Sequence, residues 1–261
     1  MNKDLEKRYL SVIEDNVNVG KSNVGVEFLI LIGGIVAICL MIYMFADSIA
    51  SFCIDRMSDK TQIQIEKSFS IGTKLPTIDK SKNIENLEKV KKQIISMDKK
   101  LQGKSSFPIY EVKDKNINAF ILPNGNIYFT KGLADKIQDE EILTFVLAHE
   151  LGHYAHRDHL KSIGRKIIAS TIIGILSSQQ TNVDLTINSI SDLSSLKYSR
   201  KQEKEADKYA AKTVYKLYGR TTGAVEFFKL LEKEENSPVF MQYFSTHPAT
   251  KDRIKLIKTV K

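Results

Sequence analysis

The first strong pattern along the chain is a run with no polar punctuation: the 19 residues from Phe28 to Ala46 (FLILIGGIVAICLMIYMFA) carry no charge. At about 1.5 Å per residue such a helix crosses a hydrocarbon layer of about 30 Å, so the pattern predicts one membrane span. A cleaved signal peptide has an apolar stretch of about 7–15 residues behind a short basic start. Here 27 mixed-charge residues come first, and the span reads as an uncleaved anchor. Arg8 and Lys21 before it balance Arg56 and Lys60 after it, which leaves the orientation open. Further on, Ile84, Leu87, Val90, Ile94, Met97 and Leu101 recur at spacings of three and four, the apolar stripe of one helix. Short apolar runs at 109–112, 117–122 and 127–130 predict strands, the last two joined through Pro123-Asn124-Gly125-Asn126. That Asn-Gly pair is a hairpin signal because both residues tolerate positive φ. From about Asp139 the chain reads as helix almost to its end, opening on Asp139, Glu140 and Glu141, whose charge suits a helix N-terminus. The apolar stretch from Ile167 to Leu176 has ten residues, too few to span a bilayer, and predicts a helix over the site or against lipid.

These elements predict an α+β fold, mostly helical, with a small β-hairpin or sheet behind one transmembrane helix. The divisions expected are an N-terminal segment over 1–27, the anchor over 28–50, a connector with its amphipathic helix over 51–104 and a catalytic domain over 105–261. Composition narrows the class. At 42% hydrophobic and 27% charged the 261-residue chain is globular, and a mean hydropathy of −0.21 excludes a polytopic membrane protein. The net charge of +8 suits nucleic acid or an anionic membrane surface. The nine Lys of 74–104 have no aromatic residues interleaved, so they read as a solvated helix face and no nucleic-acid partner is expected. Cys39 and Cys53 lie 14 residues apart, about 21 Å on a helix against a bridging limit of about 7 Å, and predict no disulfide. The five histidines are concentrated, four between 149 and 159 and one at 247, which reads as chemistry.

The helix from Asp139 runs into His149-Glu150-Leu151-Gly152-His153. Two histidines four apart leave one face and can grip one metal ion, while Glu150 sits beside the ion's open position as a general base. A surface helix that merely carries histidines would predict no third ligand. Two candidates for it exist. His159 fits the metzincin spacing, but that motif turns on a glycine where this chain has His156, for which positive φ is costly. Glu203 lies in Ser199-Arg200-Lys201-Gln202-Glu203-Lys204-Glu205-Ala206-Asp207, one turn before Asp207 on the same face. Glu203 is therefore expected as the third ligand, with Asp207 accepting a hydrogen bond from a ligand imidazole or steadying the tetrahedral intermediate. His156 and His159 are expected outside the ligand set. The 117–122 strand, if it forms a sheet edge, would take up an extended peptide through its backbone, with Asn118, Ala119 and Phe120 as the substrate-binding residues.

Four ordered motifs, Ile117-Asn118-Ala119-Phe120 with its hairpin, HELGH, SRKQEKEAD, and Ser245-Thr246-His247-Pro248 followed by Arg253, resemble the membrane-associated gluzincin peptidases that include the CAAX prenyl endopeptidase, HtpX and the BepA-type envelope proteases. The likeness covers roughly residues 60–257, and the single span is closer to the quality-control branch. It implies a zincin-like domain with one Zn²⁺ per chain on His149, His153 and Glu203, Glu150 as general base and Asp207 as supporting acid. It gives His247 one of two parts, oxyanion stabiliser or resting-state fourth ligand, and sets Arg253 with the substrate-binding residues. The implied activity is endoproteolysis of extended or misfolded polypeptide at a lipid bilayer, with the domain on the extracytoplasmic side of a bacterial inner membrane. A membrane-tethered peptide-binding chaperone with little turnover is the alternative, and the oligomeric state stays open.

Overall fold

A computed structural model describes residues 3–14, 23–68, 75, 77–177, 196–233, 237, 241–247 and 252–259. Pro248 of the last motif lies outside them.

After a first helix, α1 (Lys3–Glu14), the uncharged run forms α2 (Val24–Met44), capped at its start by the Asn23 side chain. It is long and apolar enough to cross a membrane by length and composition, and its side chains are exposed apart from Cys39. Beyond Phe45 the chain continues as α3 (Ala46–Asp55) and α4 (Asp59–Ser68). A four-stranded sheet follows: β1 (Thr77–Ile78), β2 (Ile109–Val112), β3 (Ala119–Ile121) and β4 (Ile127–Thr130), in the order β1-β2-β4-β3. β3 and β4 form the expected antiparallel hairpin, with Gly125 at φ 84°, where an added Cβ would run into Ser105. β2 pairs with β4 in parallel, which leaves β3 at an edge.

Helix α5 (Lys82–Met97) carries the first four positions of the predicted stripe on its buried face, while Met97 is exposed and Leu101 lies past the helix end. Ile84, Leu87, Val90 and Ile94 are buried in the same apolar core as Phe145, Leu147 and Leu151, so this helix shares its core with the helix that carries HELGH. Polar groups seat it: the Ser81 N–H and hydroxyl both donate to the buried Glu111 carboxylate, at 2.7 and 2.8 Å. A short α6 (Lys131–Lys136) leads to α7 (Glu140–Ala155), whose cap Asp139 accepts from the Ile142 N–H. α8 (Asp158–Ser177), α9 (Arg200–Tyr218), α10 (Thr222–Lys233), α11 (Met241–Thr246) and α12 (Asp252–Lys258) complete the described elements. α9 opens on a reciprocal capping box between Ser199 and Gln202 and ends at Gly219 in the left-handed region. It lies along α7 because both present small residues. Ala206, Ala210 and Ala211 are fully buried, and Gly152 on α7 is so close to Tyr209 that an added Cβ would stand 3.1 Å from its ring.

Candidate metal centre

The spacing of four on α7 sends His149 and His153 toward α9, where Glu203 and Asp207 repeat the same interval. Four donor atoms meet there. His149 Nε2 is 3.0 Å from His153 Nε2 and 3.3 Å from His247 Nδ1. Glu203 Oε1 is 3.3 Å from His153 Nε2 and 3.0 Å from His247 Nδ1. A tetrahedron built on metal–ligand bonds of about 2.0–2.2 Å has edges of roughly 3.3–3.6 Å; the two 3.3 Å separations reach that range and the two 3.0 Å separations fall a few tenths of an ångström short of it. All four residues are buried, and their donor atoms lie within 4.8 Å of one another. Neutral imidazoles and a carboxylate are the donors zinc takes.

Each donor is held from behind. His149 Nδ1 lies 3.0 Å from Asp207 Oδ1. His153 Nδ1 is 2.9 Å from Asp158 Oδ2, and Gln202 Nε2 donates to the other oxygen of Asp158 at 3.1 Å. Tyr198 stacks on the His153 ring with centroids 3.8 Å apart, and Tyr243 stacks on His247 at 4.8 Å. Both oxygens of Glu150 are buried without a hydrogen-bond partner among the described residues, Oε1 standing 3.6 Å from His247 Nε2. A buried carboxylate kept free in this way is poised for a proton or a ligand.

The electrostatics follow from packing. Burial pushes the Glu203 carboxyl up, but His247, His153 and Arg253 outweigh it and hold it well below the usual carboxylate range. Burial likewise raises Asp207, and Arg253 overcomes it, so that acid is lowered. His149 is driven down by burial, which keeps it neutral and able to donate a lone pair. For His153 burial again acts downward, but the hydrogen bonds it donates to Asp158 and Glu203 prevail and lift it to about 10.

Arg253 corrects the sequence reading. Expected to bind substrate, it is 1% exposed, and its guanidinium clasps Asp207 at 2.5 and 2.7 Å and Glu203 at 3.1 Å. No surface is left for a peptide; its place is to neutralise the two acids. The substrate strand is also redrawn. Asn118 spends its N–H and carbonyl on Thr130 of β4, and by strand alternation Phe120 faces β4 as well. The backbone groups of Ala119 and Ile121 are the ones that point to the outer edge of the sheet. The side chains of Asn118 and Ala119 are wholly buried and that of Phe120 nearly so.

His159 is outside the donor set, as expected, although the helix does break where a metzincin would break it. Arg157, not His156, takes the positive φ of 58°. Its guanidinium fixes that bend by donating to the carbonyls of Ile54 and Met57 and to Asp59. The bend sends His159 to Glu66 of α4, 3.0 Å away, where Tyr154 and Gln62 also donate, at 2.6 and 2.7 Å. The same bend brings Asp158 back to His153. Sequence reasoning missed Asp158, Tyr198, Tyr243 and Glu66; the Arg157-Asp158-His159 run after HELGH held the only signal for the first.

A helix carrying His-Glu-x-x-His, a buried carboxylate beside it from a second helix, and a small sheet with β3 at one edge among the described residues are the arrangement of a zincin-type metallopeptidase. Comparison with known proteins agrees: the model of peptidase family M48 matches residues 81–261, and the chain belongs to that family, whose cofactor is zinc. The metalloprotease LoiP of Escherichia coli is 32% identical over 165 residues, 59% of this chain and 61% of LoiP. A putative beta-barrel assembly-enhancing protease of Vibrio cholerae is 27% identical over 168 residues, 58% of this chain and 34% of that protein. The human mitochondrial metalloendopeptidase OMA1 is 28% identical over 182 residues, 63% of this chain and 34% of OMA1. The matched region thus spans about a third to three-fifths of these relatives' own length.

Proposed function

We propose that this chain is a membrane-anchored zinc metalloendopeptidase that cleaves extended or misfolded polypeptide in protein quality control. The observation that carries the reading is the cage of four buried donors with the uncapped Glu150 carboxylate beside it. His149, His153 and Glu203 would hold the ion, and the position of His247 Nδ1 among the donors favours a resting-state fourth ligand over an oxyanion stabiliser. Zinc, when bound, supplies Lewis acidity that polarises a carbonyl and lowers the pKa of water. Glu150 takes the proton of the attacking water and hands it to the leaving amine. Asp207 fixes the His149 ring through Nδ1, Asp158 does the same for His153, and Arg253 keeps Asp207 and Glu203 ionised beside each other. The peptide lies extended against the outward backbone groups of Ala119 and Ile121, a contact indifferent to side-chain identity, which accords with broad specificity. α2 serves as a single membrane span in a bacterial inner membrane, with the domain on the extracytoplasmic side, a reading that family likeness supports.

The test is cleavage of unfolded casein by the full chain in detergent with zinc, beside Glu150→Gln. Loss of a proton carrier of this kind costs roughly 10²–10⁴ in rate. Equal cleavage by the two proteins would overturn the reading; casein bound but not cut by the wild type would favour a chaperone.

A further inference from the structure

We propose that the apolar half of α8, residues 167–177, is embedded in the lipid bilayer alongside α2, so that the chain meets the membrane through two helices of unequal depth. This rests on the reading of α2 as a membrane span.

The register between α8 and the helices before it carries the argument. Arg157 pairs with Asp59 at 2.7 Å, Lys161 with Asp55 at 2.8 Å, and Arg165 with Asp47. Between them a Cβ on Gly164 would touch the Ala50 Cβ at 3.3 Å. Each step forward along α8 is therefore a step back along α3 toward α2. Continued past Arg165, this antiparallel register lays Ile167 onward beside the C-terminal turns of α2 and brings Ile172 level with Cys39 and Leu40. Ile172 and Cys39 are the buried residues there, at 8% and 5% exposure, which marks the seam between the two helices.

Away from that seam α8 changes character where α2 begins. Its last charges are Arg165 and Lys166, and the remaining 11 residues, IIASTIIGILS, carry none. Ile167, Ile173, Ile175 and Leu176 are exposed, as are Leu40, Met41 and Met44 on α2 beside them. A face this apolar, continuous with a helix apolar on every side, suits hydrocarbon. The hydroxyl of Thr171 is satisfied inside the helix, donating to the Ile167 carbonyl at 2.9 Å, as a lipid-facing hydroxyl requires. Eleven residues rise about 16 Å, half of a hydrocarbon layer of about 30 Å, so the segment enters one leaflet without crossing. The Arg165–Asp47 pair then lies at the polar boundary. Asp158, which supports His153, is seven residues from Arg165 along the same helix. That is about 10 Å of rise, so the metal centre sits close under the bilayer surface.

The chain contains no tryptophan, so a single introduced one reports a single place. Ile173→Trp and Ile175→Trp in the full chain would be reconstituted in phosphatidylcholine–phosphatidylglycerol vesicles containing acyl-brominated lipid. Leu40→Trp serves as the bilayer reference and Tyr215→Trp on α9 as the aqueous one. Both α8 variants are expected to lose emission to brominated lipid as Leu40→Trp does and to resist aqueous iodide. Quenching by iodide, as for Tyr215→Trp, would overturn the inference in favour of a watery face. Protection from both quenchers would overturn it in favour of a protein cover, another segment of this chain or a second copy. If Leu40→Trp itself escapes the brominated lipid, the span reading fails; if only the α8 variants escape, the span stands and this inference alone falls.

Discussion

A guanidinium sealed between two carboxylates takes its meaning from what its removal would strand. Arg253→Met would leave Asp207 buried without its cation and Glu203 with the histidines alone, and breaking a buried pair from one side costs about 3–5 kcal/mol. Urea unfolding of the metal-free variant should show a loss of that size; a change below about 1 kcal/mol would mean the acids had found protons or water instead. The sign with pH follows. Both acids are held below their ordinary range, so the stability they contribute is present above the usual carboxylate pKa, about 4, and is lost as the solution is acidified through their folded values. In the sequence His149, Glu150, His153, Glu203 and Asp207 were legible, because an interval of four on a helix is a local fact with a spatial consequence. Arg253 was not, since its direction depends on how the chain returns after His247. Asp158 was hidden by the bend at Arg157, where a left-handed arginine is held by carbonyls about a hundred residues earlier.

Between elements, the separation of α7 and α9 sets where Glu203 stands relative to the histidines. Gly152 fixes that separation: an alanine Cβ there would meet the Tyr209 ring and Cβ at 3.1–3.3 Å. Gly152→Ala should push α9 outward, lower stability by about 1–3 kcal/mol and weaken zinc binding. Urea midpoints and competition with a chelator measure the two effects, and wild-type values in both would show that Tyr209 yields at no cost. Helices and the hairpin could be read from period and turn chemistry. Which elements become neighbours could not. The stripe of α5 was visible, but its place in the core shared with α7 comes from long-range packing, and the parallel pairing of β2 with β4 across an edge hairpin has no local signature.

At the level of the whole molecule, metal loading and protonation oppose one another. In the metal-free chain His153 is lifted to about 10, so its ring carries a proton at neutral pH, and a zinc ligand must be neutral. Zinc binding at pH 7.5 should therefore release about one proton, and affinity should rise from pH 7 toward 10. Titration calorimetry in buffers of different ionisation heat checks this; binding heats independent of the buffer would contradict it. For folding without metal the sign is reversed. The charged His153 contributes fully below the unfolded value near 6.5, and that contribution fades as pH climbs through about 10. Glu66 joins these scales. It sits on the stretch that descends from the anchor, yet it is gripped by Tyr154, the immediate neighbour of His153. On the proposed reading of α2 as a membrane span, this one contact ties the stretch that follows the span to the base of the histidine helix.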